Sequence, residues 1–127
     1  EALPHYRMAV RLLPDAPQLR IGLAHVQIEL GGKDRMEQAV GHLRHALERD
    51  RDYSIGWRLA AIAYGRTGRK GQAALSQAEY NLLIGRTKSA RQQAGLALRR
   101  LKRGSPAWIR AEDIKRQAEQ IEKKKKR

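Results

Sequence analysis

Seven stretches of helix length, each about four turns, are separated along this chain by short groups of glycine, proline and aspartate, and no other feature limits its fold as strongly. Within each stretch apolar residues recur at the three-and-four spacing of an α-helix, and no segment alternates apolar with polar as a half-buried strand does. The breaks fall at Pro14-Asp15-Ala16-Pro17, Gly31-Gly32, Asp50-Arg51-Asp52, residues 65–68, Gly85 and Gly104-Ser105-Pro106. Glycines at such places end helices, and prolines occupy first turns. The pattern predicts an all-α fold with helices over 1–13, 17–30, 34–49, 54–66, 70–84, 87–102 and 106–122. Connections of two to four residues make successive helices antiparallel neighbours. Ser105 is placed to cap the last helix, with Pro106 at its first position and Ala107, Ala111, Ile114, Ala118 and Ile121 as the buried stripe.

The helices also repeat a pattern of small and large residues. A spacing of Ala-x3-large-x2-Ala occurs as Ala2, Tyr6, Ala9 with Pro14 following, and again as Ala39, Leu43, Ala46, an interval of 37 residues. From Ala39 to Ala73 the interval is 34, and the preceding helix carries Trp57, Ala60, Ala61, Tyr64 and then Gly68. The longer first interval is accounted for by extra residues around Gly32-Lys33-Asp34-Arg35. A third match, through Ala74, Ala78, Gly85, Ala90, Ala94 and Ala97, follows so closely that helix 70–84 serves as the end of one hairpin and the start of the next. Small residues let two helices approach, large ones fill the gap between successive hairpins, and glycine lets the chain reverse.

This spacing resembles the tetratricopeptide repeat, which implies a right-handed α-solenoid over 1–122. The chain opens in mid-motif, as expected of a piece of a longer protein. Residues 57–85, and Gly104-Ser105-Pro106-Ala107-Trp108 with the residues through Ile114, resemble the C-terminal repeat region of bacterial BepA-type (Ste24-like) zinc metalloproteases. In that family a catalytic domain with His-Glu-x-x-His precedes the repeats. The motif does not occur here, so no catalytic residue carries over. The resemblance implies a non-catalytic module that positions a protein substrate or partner, in a periplasmic protein.

Charge narrows the partners. Residues 1–63 hold nine Lys and Arg against eight Asp and Glu, residues 64–104 ten against one, and residues 105–127 eight against four, for a net charge of +14. The basic run at 123–127 is expected to be a frayed helix end or solvated tail. Cysteine is absent, which excludes disulfides, thiolate zinc sites and cysteine nucleophiles and leaves the compartment open. The longest apolar run, Leu59 to Tyr64, is far shorter than the ~20 residues that cross a bilayer.

If the hairpins stack as in other repeats, helices 17–30, 54–66 and 87–102 form an inner layer whose free positions line a concave groove. Those positions are Leu19, Gly22, Leu23, Val26 and Glu29 on the first, and Ile55, Arg58, Leu59, Ile62 and Arg66 on the second. Leu23, Val26 and Ile62 would meet apolar side chains of a peptide or protein partner, Arg58 and Arg66 its carboxylates, with Glu29 beside them. The competing assignment makes Leu59 and Ile62 core residues and leaves the arginines in solvent. Trp57 and Tyr64 fall on packing positions.

The rival surface is the basic stretch Arg66, Arg69, Lys70, Arg86, Lys88, Arg91, Arg99, Arg100, Lys102 and Arg103, opposed by the single acid Glu79. It could meet nucleic acid, an anionic surface or an acidic partner, or be a solvated face. With Tyr80 its one aromatic, base stacking is disfavoured. His25, His42 and His45 could be imagined as a metal site, but no metalloprotease motif frames them, and no metal or cofactor is expected. Ser54, Ser76, Ser89 and Ser105 lack a neighbouring His-acid pattern, so no enzyme is expected from this segment.

Overall fold

The computed structural model describes residues 2–126, and all of the regular structure among them is helical. The elements are α1 (Ala2–Leu12), α2 (Pro17–Leu30), α3 (Lys33–Arg49), α4 (Ser54–Arg66), α5 (Lys70–Leu83), α6 (Thr87–Arg100) and α7 (Pro106–Lys125). Six lie within two residues of the expected bounds at both ends, apart from the first position of helix 1–13, which falls outside the described residues. The seventh runs past 122, so Lys123–Lys125 of the run expected as a frayed helix end or solvated tail continue the helix; Arg127 lies outside the described residues. Lysine is a good helix former, and its charge suits the negative end of the helix dipole. None of the described helices is long and apolar enough to cross a membrane.

The punctuation works as its chemistry requires. At Gly85, φ is 82°, which lets the Arg86 amide reach back to the Asn81 carbonyl at 2.8 Å and close α5. Gly68 does the same for α4, with the Arg69 amide on the Tyr64 carbonyl at 2.9 Å. The Ser105 hydroxyl accepts from the Trp108 amide at 3.2 Å, with Pro106 opening α7. Of the stripe expected on α7, Ala111, Ile114 and Ala118 are buried, Ala107 is half-buried and Ile121 is exposed.

Two hydrophobic cores form, each from three consecutive helices. The first joins α2, α3 and α4 through large aliphatic residues, among them Ile21, Ile28, Met36, Leu43, Leu47 and Leu59, interleaved with Ala24, Ala39, Ala46, Ala60 and Ala63. The second joins α5, α6 and α7 and consists of alanines at 74, 78, 90, 94, 97, 111 and 118, with Leu75 and Ile114 as its two large members. Gly71 shows how close these helices come: a Cβ built there would lie 2.9 Å from Leu101 Cδ2 and 3.2 Å from the Arg100 carbonyl carbon.

The inner layer expected from helices 17–30, 54–66 and 87–102 is interrupted. α2 packs on α4, but α4 does not pack on α6; α5 packs on α7 instead. The cause lies in α5, which buries Ala74, Leu75, Ala78 and Glu79 around more than one face and touches α4, α6 and α7. Its double role follows the sequence pattern, whereas the change of layer does not.

Candidate functional site

A cavity of about 670 Å³ opens where the two cores meet, between α3 and α7 and over α4 and α5. Its construction starts at the α3–α4 turn. The Trp57 indole N–H donates to the Arg51 carbonyl at 2.8 Å, and the Arg51 guanidinium lies over the same ring, 5.7 Å from its centroid. Arg51 Nη2 then reaches the Glu79 carboxylate on α5 at 3.0 Å. From α7, Arg110 holds that carboxylate with two bonds, Nε to Oε2 at 2.9 Å and Nη2 to Oε1 at 2.7 Å. The Glu79 side chain is 5% exposed, so its charge is compensated by two arginines from opposite walls rather than by water. These hydrogen bonds hold the Arg110 pKa above its ordinary value against the opposing effect of burial.

Around that bridge the lining divides by chemistry. Leu47, Ala60, Leu75 and Ala107 supply apolar surface beside the rings of Trp57 and Tyr64. Burial pushes the Tyr64 phenol above its ordinary pKa, against the pull of Arg44 and Arg69. Arg69 stands over the Tyr64 ring at 6.0 Å and bonds Glu37 at 2.9 Å. Arg44, Glu48, Gln72 and Ser76 complete the wall. The lining presents cation-flanked rings suited to apolar or aromatic groups and guanidinium donors suited to anionic ones.

None of the ten positions expected to line a groove lines this cavity. Leu23 is 2% exposed and therefore unavailable to a partner. Val26 is half-buried, Glu29 is exposed and paired with His25 at 3.0 Å, and Arg58 is exposed. Ile62 packs against the first core, and Arg66 donates to the Ile28 carbonyl at 3.4 Å and lines a smaller hollow beside Gly31 and Met36. Between α4 and α6, where the groove was expected, there is a depression of about 330 Å³ lined by residues including Ala61, Gln77, Gln93 and Leu96.

The basic stretch is likewise divided. Arg69 faces the main cavity, Lys70 and Arg100 border the depression, and Arg91 is bonded to Glu122 at 2.9 Å. Arg86, Lys88, Arg99 and Arg103 are exposed. The three histidines have separate partners. His25 meets Glu29, His45 faces Asp15 at 3.4 Å, and His42 Nδ1 accepts from Arg20 at 3.0 Å. Burial, then Arg20 and His45, hold the His42 pKa below its ordinary value.

Sequence reasoning missed Arg51 and Arg110 altogether and treated Glu79 as a bystander. One signal for Glu79 was present, since it falls one helical turn from Leu75 and next to Ala78, on the side of α5 that the apolar spacing marks as buried. Compared with known proteins, the chain matches no family model and no curated sequence.

Proposed function

We propose that this chain is a protein-interaction module of tetratricopeptide type, an α-solenoid of antiparallel hairpins that binds a peptide or protein segment without a cofactor or chemistry of its own. The observation that carries the proposal is the open cavity between α3 and α7, in which Trp57, Tyr64, Leu47 and Leu75 lie beside the guanidinium groups of Arg44, Arg51, Arg69 and Arg110. An extended segment would lay an aliphatic or aromatic side chain on the rings and direct a carboxylate to Arg44 or Arg69. Arg51 and Arg110, already bonded to Glu79, serve as fixed walls, which lowers the ordering cost of binding.

Calorimetric titration with a peptide of alternating glutamate and leucine, and with its lysine-leucine counterpart, tests this. The acidic peptide should bind and the basic one should not. Arg44→Glu, a change on an exposed residue, should weaken the acidic peptide by about tenfold, and unchanged affinity would overturn the site. The resemblance of residues 57–85 and 104–114 supports a second element, that the module is the non-catalytic part of an exported, periplasmic zinc metalloprotease. The coding sequence upstream of Glu1 decides it: His-Glu-x-x-His behind a signal peptide supports the assignment, and another domain there removes it.

A further inference from the structure

The end of the molecule where α5 turns into α6 combines exposed aliphatic side chains with a concentration of positive charge. Leu83 and Ile84 are 40% and 39% exposed, and Gly85 carries the chain round to the exposed Arg86 and Lys88. Arg91, near the start of α6, bonds Glu122 near the end of α7, so these two helix ends lie side by side. Residues after Glu122 therefore continue towards the same turn. They are Lys123, Lys124, Lys125 and Lys126, all exposed, and Ile121 just before them is 36% exposed. The chain has no carboxylate between Glu79 and Glu112, and Glu122 is engaged by Arg91.

The part of these aliphatic side chains left in water gains nothing from the fold, and cations on both flanks repel one another. Both costs are removed by one environment, an anionic surface with an apolar layer beneath it. We propose that this end docks on anionic lipid, with Leu83 and Ile84 entering the boundary of the acyl chains. Arg86, Lys88 and the lysines at 123–126 then meet the headgroup phosphates. The aliphatic tips select lipid over a nucleic acid, because a phosphodiester backbone attracts the cations but offers leucine and isoleucine no apolar phase. Lysine adds to the fit, since its methylene stem lies along the interface while its ammonium stays at headgroup level. This end is separate from the cavity between α3 and α7, so the two proposals stand or fall independently.

Co-sedimentation of the chain with vesicles of phosphatidylcholine, with and without phosphatidylglycerol, is the test. Binding is expected to the anionic vesicles alone. The pair Arg86→Glu and Lys88→Glu should weaken it by about tenfold or more, whereas the same charge change in the first turn of α3, Lys33→Glu with Arg35→Glu, should have a much smaller effect. Leu83→Ser with Ile84→Ser should also release the chain at unchanged charge. If that pair lowers the melting temperature, Ile84→Trp replaces it, with a fluorescence blue shift expected on anionic vesicles. Equal losses from both glutamate pairs would reduce the effect to overall charge and overturn the proposal. So would full binding by the serine pair, an unshifted emission from the tryptophan variant, or binding of duplex DNA in place of vesicles.

Discussion

The three helices α2–α4 and the three helices α5–α7 solve the same packing problem with different side chains. In the first group, helices are held by aliphatic residues such as Leu43 and Met36, and stability comes from apolar area removed from water. In the second, alanines bring the helices close enough for backbone and Cβ surfaces to meet, and Leu75 and Ile114 supply the bulk. The difference shows that a single spacing of small and large residues tolerates two packing regimes. The first is sensitive to loss of volume, and the second to its gain.

Leu43→Ala is the strongest way to break that distinction. Leu43 is 1% exposed in the first core, and its truncation should cost about 2–5 kcal/mol, read from the urea midpoint. A cost below about 1 kcal/mol would mean that the first core collapses around the void and is not close-packed. Ala94→Leu probes the other group: Ala94 is fully buried in α6, and the added volume should cost about 1–3 kcal/mol. A stabilised variant would show that the alanine core has space and would remove the contrast.

Glu79→Gln sharpens the comparison by asking whether the two groups unfold together. It removes the charge that Arg51 and Arg110 share, and because both arginines reach solvent the expected loss is about 1–2 kcal/mol. A single thermal transition should persist, since the helices of both groups also pack through α4 and α5. The smallest effect is pH dependence in the first group. His42 accepts from Arg20 and its pKa lies below 6.5, so the unfolded chain takes up this proton more readily than the folded one. Its contribution is complete above pH 6.5 and declines as the pH falls below that value. Comparing urea midpoints at neutral and mildly acid pH should show this decline, and His42→Gln should reduce it.

Most of the helical architecture was legible because glycine and proline act locally. Gly68, Gly85 and Ser105-Pro106 set helix ends through backbone angles and caps that depend on few neighbours. The extent of α7 was legible only in part, since residues 123–125 carry charge and no apolar spacing, a pattern that fits a frayed helix end and a solvated tail alike. The cavity was hidden for a different reason. Its bridge joins Arg51, Glu79 and Arg110, which are brought together only after α4 and α5 have packed and α7 has docked on α5. Leu23 was misplaced because periodicity marks a face as apolar without saying which neighbour covers it.

The sharing of α5 between neighbours also bears on how such a chain can change in length. Arrays of separable hairpins grow and shrink by duplication or loss of whole units, because each unit contacts only the next. Here α5 completes the contacts of α4 and also those of α6 and α7. A hairpin inserted or deleted at that point would leave α4, α6 and α7 short of a wall.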